Sequence, residues 1–275
     1  MLSLHTNNAA LSAQNAISRT QNSLSTSMTR LSTGYRINSA MDDAAGLQIA
    51  SRLKAQTSGM AVAMRNTQNS TSMLQTAEGA LDEVSNMLVR MKDLATQAAD
   101  ASSTDEDKTA MKSEYDALAK ELKNVMENTT FGGTKLLTGG TVASSMTFQI
   151  GASADETMDI DLADDMEAVD ESVTDVTDAD ISSDANATIT TLDDALENVN
   201  KVRSGLGAAA NRLEHVYNNL ANVSTNTKAA TGRIMDVDFA TESASMTSNQ
   251  MLLQAGTAML KQTNSMSSMV MSLLQ

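Results

Sequence analysis

The stretch Leu74-Gln-Thr-Ala-Glu-Gly-Ala-Leu-Asp-Glu-Val-Ser-Asn-Met-Leu-Val-Arg-Met-Lys-Asp-Leu-Ala-Thr-Gln-Ala98 decides the fold. Leu74, Leu81, Leu88 and Ala95 recur at every seventh position, and Ala77, Val84, Met91 and Ala98 repeat beside them with the same period. Residues seven apart return to one helical face, so these two rows form an a/d seam that other helices must cover. Met111, Leu118 and Val125, with Tyr115 and Leu122, give a second, shorter seam. Val199, Leu206, Leu213 and Leu220 give a third, flanked by Val202, Ala209, Val216, Val223 and Ala230. Three seams of this kind bury one another as a helical bundle or coiled coil.

Outward from that centre, both ends of the chain carry apolar stripes. Leu4, Leu11, Leu24 and Leu31 stand near the start, and Leu252, Met259, Met266 and Leu273 at the finish. Each end reads as an amphipathic helix with a sticky face and no core of its own, its partner being the other end or another copy of the chain.

Composition agrees with long helices. Aromatics are 2% of the 275 residues, too few for a thick globular core. Proline is absent, so nothing forces a break, and Ala, Leu, Met, Gln and Lys favour helix. The absence of cysteine excludes disulfides, thiolate metal sites and cysteine nucleophiles. No apolar run approaches the roughly 20 residues that span a bilayer, which argues against membrane insertion. The start of the chain lacks the basic and apolar regions of a cleavable signal peptide, so export is expected to use a route without one. A net charge of −15 argues against nucleic acid and anionic membranes as partners.

The charge is concentrated. No Lys or Arg occurs from Leu136 to Asn200, while thirteen acids fall between Asp155 and Asp184. A solvated face or loop is expected there in preference to calcium binding, because no spacing resembles a glycine-containing calcium loop. From Met146 the period changes to two: Phe148 and Ile150, then Met158, Ile160 and Leu162, separated by Gly151 to Thr157, predict a β-hairpin. Ser32 to Ser39 should interrupt the first helix, and Asp42 and Asp43 suit the start of the next. That helix should run about 55 residues to Asp100, on the order of 80 Å. The third long helix is expected to loosen around Gly232, and Asp236, Asp238 and Glu242 to open the last one. The fold class is therefore mainly α, a long antiparallel bundle or coiled coil with a small β-hairpin region.

These residues carry a family resemblance. Leu31-Ser-Thr-Gly-Tyr-Arg-Ile-Asn-Ser-Ala-Met-Asp-Asp-Ala-Ala-Gly46 resembles the amino-terminal region of bacterial flagellins. Gly232-Arg-Ile-Met-Asp-Val-Asp-Phe-Ala-Thr-Glu242, Leu253-Gln-Ala-Gly-Thr257 and Val270-Met-Ser-Leu-Leu274 resemble their carboxy-terminal region. Phe131-Gly-Gly-Thr-Lys-Leu-Leu137 and Phe148-Gln-Ile-Gly151 match the segment between the second helix and the hairpin. Met41 and Ser267 depart from the Lys and Pro common in the family.

The resemblance implies a structural subunit of the flagellar filament. Residues 1–45 and 236–275 would be the paired terminal helices called D0, and residues 46–162 and 186–235 the helical bundle and hairpin called D1. The acidic segment 163–185 would stand on the surface where larger members carry outer domains, and would tolerate deletion. Implied partners are further copies in a helical filament, the flagellar type III export apparatus, an export chaperone, and the filament cap and junction proteins. A hook-filament junction protein is the alternative; a chemoreceptor-like coiled coil and an enzyme fit less well.

No constellation suggests catalysis, a cofactor or a metal. His5 and His215 lie in no nucleophile or ligand motif. Asp236 and Asp238 read as acids opening a helix in preference to a metal pair. The carboxy-terminal methionines read as adaptable packing in preference to a promiscuous peptide-binding surface. Finally, family members that activate the innate immune receptor TLR5 carry an Arg and a Leu on the long helix and a Glu on the next. Arg90, Leu94 and Glu114 match those positions, with Val89 and Lys92 departing from the family's Gln and Arg.

Overall fold

The computed structural model describes residues 7–273, with side-chain surroundings through Met266. Among the described residues there are six helices: α1 (Asn8–Thr33), α2 (Ala44–Ala99), α3 (Asp105–Asn128), α4 (Ala163–Asp178), α5 (Ala185–Met235) and α6 (Phe239–Leu273). Four short strands, β1 (Thr130–Phe131), β2 (Thr134–Lys135), β3 (Met146–Gln149) and β4 (Thr157–Ile160), form two antiparallel pairs. The fold is mainly α, and the chain divides into two compact units. One is Met1–Ala55 with Asn226–Gln275; the other is Gln56–Thr225.

The heptad rows build the core of the unit from Gln56 to Thr225. Leu74, Ala77, Leu81, Val84, Leu88, Met91, Ala95 and Ala98 are each at most 1% exposed. From the shorter row Met111, Tyr115 and Leu122 are buried, while Leu118 and Val125 pack half-buried against the same core. α5 contributes Val199, Val202, Leu206, Ala209 and Leu213, and Leu220 joins Met60 and Ala63 in a small satellite cluster. α3 starts as its sequence prescribes: the Thr104 hydroxyl accepts the Asp107 N–H, and the Asp107 side chain accepts the Thr104 N–H.

The hairpin forms where the period-two pattern places it, with Phe148 opposite Met158 and Gln149 opposite Thr157. Met146, Met158 and Ile160 turn inward. A second, smaller hairpin, β1–β2, was not anticipated. Gly132 and Gly133 join its strands with φ of +60° and +89°, a turn that L side chains adopt only under strain.

Two expectations are corrected. α5 does not loosen at Gly232 but continues to Met235. The acidic middle gives the solvated face expected of it but not a loop: residues 163–178 form α4, whose Met166, Val169, Val173 and Val176 repeat at helical spacing and are buried. Burial of each such side chain contributes roughly 1.5–3 kcal/mol, so the segment is core on one face. Its acids Asp164, Glu167, Glu171, Asp175 and Asp178 occupy the other. Polar links fasten it. The buried Tyr115 hydroxyl donates to the Val176 carbonyl at 2.8 Å, and Asn198 donates to the Ser172 hydroxyl at 2.7 Å.

Candidate functional site

The terminal helices assemble into an antiparallel pair. Asn7 caps α1, its side chain accepting the Ala10 N–H, and Gly34 ends it with φ of +77°, donating its N–H to the Arg30 carbonyl. Asp238 opens α6 by accepting the Ala240 N–H and the Thr241 hydroxyl. Those bonds hold its carboxyl below the usual carboxylate range. Of the two acids Asp236 and Asp238 expected to open the last helix, only Asp238 does so; Asp236 stands at the end of α5, where its N–H donates to the Gly232 carbonyl.

Between these caps runs a seam of alternating three- and four-residue steps. On α1 its less exposed positions include Ala10, Ala13, Ile17, Leu24, Ser27 and Leu31; on α6 they include Met246, Asn249, Leu253, Gly256 and Leu260. At one end Asn7 donates to the Thr263 carbonyl at 3.4 Å; at the other Arg30 pairs with Glu242 at 3.7 Å. The helices approach closely at Gly256, where an added Cβ would lie 2.9 Å from Ile17 Cγ1. The seam is thin in apolar volume, since Ala, Ser, Asn and Gly alternate with its Leu and Ile positions.

The stripe residues read from the sequence divide between this seam and open solvent. Leu24 and Leu31 lie half-buried in the seam. Leu11 is 49% exposed, Leu252 56%, Met259 66% and Met266 58%. Leu4 and the side chain of Leu273 lie outside the described residues, as does His5. Two geometric facts explain the split. Leu11 and Leu24 are thirteen residues apart, which at 3.6 residues per turn places them on different faces. On α6 the seam runs one residue beyond the heptad row that was singled out, through Leu253 and Leu260 in place of Leu252 and Met259. The three-four alternation through Met246, Asn249, Leu253, Gly256 and Leu260 was the available signal, obscured by a polar residue and a glycine. α6 therefore has apolar side chains on two faces, only one of them covered by α1.

A compact connection joins the two ends. The Arg36 N–H donates to the Met235 carbonyl at 2.6 Å, the Val237 N–H to Gly34 at 3.0 Å, and Arg36 Nη2 to Ile234 at 3.0 Å. Ile37 is buried beneath it. Asp42 accepts the N–H groups of Asn38 and Ser39, with the Ser39 backbone bond foremost in pulling its carboxyl below the ordinary range. Asp43 accepts the Gly46 N–H at 2.8 Å at the start of α2, where a Cβ on Gly46 would collide with the Asp43 carboxylate at 2.5 Å. Within the motif from Leu31 to Gly46 these contacts involve Gly34, Arg36, Asp42, Asp43 and Gly46.

The unit from Gln56 to Thr225 brings Arg90 and Glu114 together at 2.6 Å, each about half exposed. Leu94 does not join them. It is 3% exposed and belongs to the core, so the apolar anchor expected beside Arg90 faces inward. Four residues advance about 40° past a full turn, which carries Leu94 onto the bundle-facing side with the buried Met87, Met91 and Ala98.

Comparison with known proteins follows the same outline. Residues 4–141 match the bacterial flagellin N-terminal helical region and residues 189–274 the bacterial flagellin C-terminal helical region. A flagellin of Halalkalibacterium halodurans is 40% identical over 246 residues, covering 88% of this chain and 89% of that protein. The flagellar filament 33 kDa core protein of Treponema phagedenis is 36% identical with 99% of both chains covered. The crystal structure of Bacillus cereus flagellin, 31% identical, superimposes with a TM-score of 0.50 over 61% of this chain and 94% of that one.

Proposed function

Since this chain belongs to the bacterial flagellin family, we propose that its two-faced α6, paired to α1 along one face, presents the other to neighbouring copies. The chain is a structural subunit of the flagellar filament, a homopolymer that serves motility. On this reading residues 1–45 and 236–275 act as D0, residues 46–162 and 186–235 as D1, and residues 163–185 stand in place of outer domains. Leu11, Leu252, Met259 and Met266 are the polymerisation contacts, with Leu24 and Leu31 holding α1 to α6. Leu4 and Leu273 belong to the same stripes.

The observation that carries this reading is the exposure of large apolar side chains on α6 beside a completed intrachain seam. Each gains roughly 1.5–3 kcal/mol when fully covered, and a heterologous contact that does not close on itself propagates as a helical filament. The same exposed face is suited to an export chaperone before assembly. Export through the flagellar type III apparatus without a cleaved signal peptide would place the filament outside the cell, where cap and junction proteins meet its ends. Arg90 and Glu114 supply a charged surface patch for TLR5.

The test is seeded polymerisation followed by electron microscopy, comparing the parent with a Leu11→Gln, Leu252→Gln variant. The parent should extend seeds into micrometre filaments. The variant should keep its helicity and leave seeds unextended. Normal filaments from the variant would remove these residues from the interface, and a parent that forms only short caps would favour a junction protein.

A further inference from the structure

The protein holds 20 methionines and no cysteine, so every sulfur in it is a thioether. Their exposure separates by unit. Among the described residues, all the buried methionines, from Met60 to Met166, belong to the unit Gln56–Thr225. The strongly exposed ones, Met28, Met41, Met251, Met259 and Met266, belong to the other. Three of these share α6, where Met259 and Met266 are seven residues apart and Met251 adjoins Leu252 on the same exposed side. They lie off the seam that holds α1, so their chemistry can change without breaking the helix pair.

We propose that Met251, Met259 and Met266 are an oxidation site of the free subunit, at which conversion to methionine sulfoxide blocks assembly until the sulfoxide is reduced. The oxidant class is a peroxide. A sulfur lone pair attacks one oxygen of hydrogen peroxide, the S–O bond forms as the O–O bond breaks, and the proton of the transferred oxygen passes to the departing hydroxide, which leaves as water. Sulfur is oxidised by two electrons and the peroxide reduced by two. Susceptibility of a thioether follows its exposure, and the product is a polar, chiral group in place of a flexible apolar one. A sulfoxide oxygen buried in an apolar contact without a donor carries a desolvation penalty. The inference rests on the filament reading, because it is the contact between copies that the sulfoxide spoils. It also gives that contact an asymmetry: subunits in transit are sensitive, whereas subunits already covered by neighbours are shielded. Methionines of the core, such as Met91 and Met126, stay reduced, and the helical unit around them keeps its structure.

The experiment treats purified full-length monomer with graded hydrogen peroxide, locates sulfoxides by tandem mass spectrometry and measures elongation on filament seeds. Met251, Met259 and Met266 should oxidise before Met87, Met91 and Met126, elongation should be lost in step with them, and methionine sulfoxide reductase should restore it. From a partly oxidised mixture, pelleted polymer should be depleted in sulfoxide at the three positions relative to the soluble fraction, a readout that needs no variant. An untreated parent that fails to elongate overturns the filament reading and the inference with it. An untreated parent that elongates, while sulfoxide-bearing subunits enter polymer in proportion to their abundance, overturns the inference alone.

Discussion

Arg90 on α2 donates two hydrogen bonds to a single carboxylate oxygen of Glu114 on α3, from Nε at 2.9 Å and from Nη2 at 2.6 Å. The pair stands about half exposed on the surface. It is a preformed unit in which one side chain fixes the orientation of the other, and neither is free to meet a partner without breaking or sharing that geometry.

This separates two effects that substitution at the patch would otherwise mix. Exposed ion pairs contribute about 1 kcal/mol or less, so Arg90→Ala and Glu114→Ala should leave the melting temperature nearly unchanged. Each should weaken the response of TLR5 reporter cells to titrated monomer. Leu94→Ala should instead lower stability by about 2–5 kcal/mol, as expected for truncation of a buried leucine. A response lost only in Leu94→Ala, in step with unfolding, would take Arg90 and Glu114 out of the receptor patch.

The α4 correction makes a prediction opposite to the one its acidity suggests. Met166→Ala on the buried face should lower the denaturant midpoint, with a loss of about 2–5 kcal/mol. Glu171→Gln, on the exposed face of the same helix, should stay within about 0.5 kcal/mol of the parent. Urea unfolding followed by circular dichroism measures both. Equal, negligible effects would show that residues 163–178 contribute nothing to the core.

Much of this fold was legible because helical bundles write their cores in period seven. The row from Leu74 to Ala98 needed no tertiary information, nor did the alternation at Met158 and Ile160. α4 was obscured because four buried side chains sit among many acids, and average composition hid a seam that position-by-position spacing would have found. The α6 seam was missed because Asn249 and Gly256 occupy core-facing positions, so the apolar row one residue away looked cleaner. The inward turn of Leu94 was hidden for a different reason. Arg90 and Leu94 share a helical face in sequence terms, and only the packed neighbours decide where that face passes from solvent into the bundle.

Acid should loosen the corner after α4 through Asp180. Hydrogen bonds from Ser182 and then Lys112 lower its pKa from 3.8 to about 2 in the folded protein. A carboxyl with a depressed folded pKa contributes stability that is present above its unfolded pKa and lost as pH falls through the folded one. The contribution should therefore fade between about pH 4 and pH 2. Lys112 stays charged throughout, its own pKa raised by the same bond. Melting curves across this range should fall less steeply for Asp180→Asn than for the parent, and identical slopes would remove Asp180 from the acid response.

The contact between Ile17 and Gly256 gives a test whose sign is informative. Replacing a glycine inside a helix by alanine normally stabilises the helix by about 0.5–1 kcal/mol. Here the new Cβ would meet Ile17 Cγ1 at 2.9 Å, and a β-branched side chain has few rotamers with which to retreat. Gly256→Ala should therefore push α6 away from α1 and impair elongation on seeds, despite its favourable propensity. Ile17→Ala should make room for the new methyl, so the double variant should elongate better than Gly256→Ala alone. Helicity of the unit from Gln56 to Thr225 should be unaffected in all three, because its core shares no residue with this contact. If Gly256→Ala elongates as well as the parent, close approach of the two helices at this point is not required for assembly, and the seam through Leu253 and Leu260 must hold the pair at a wider spacing.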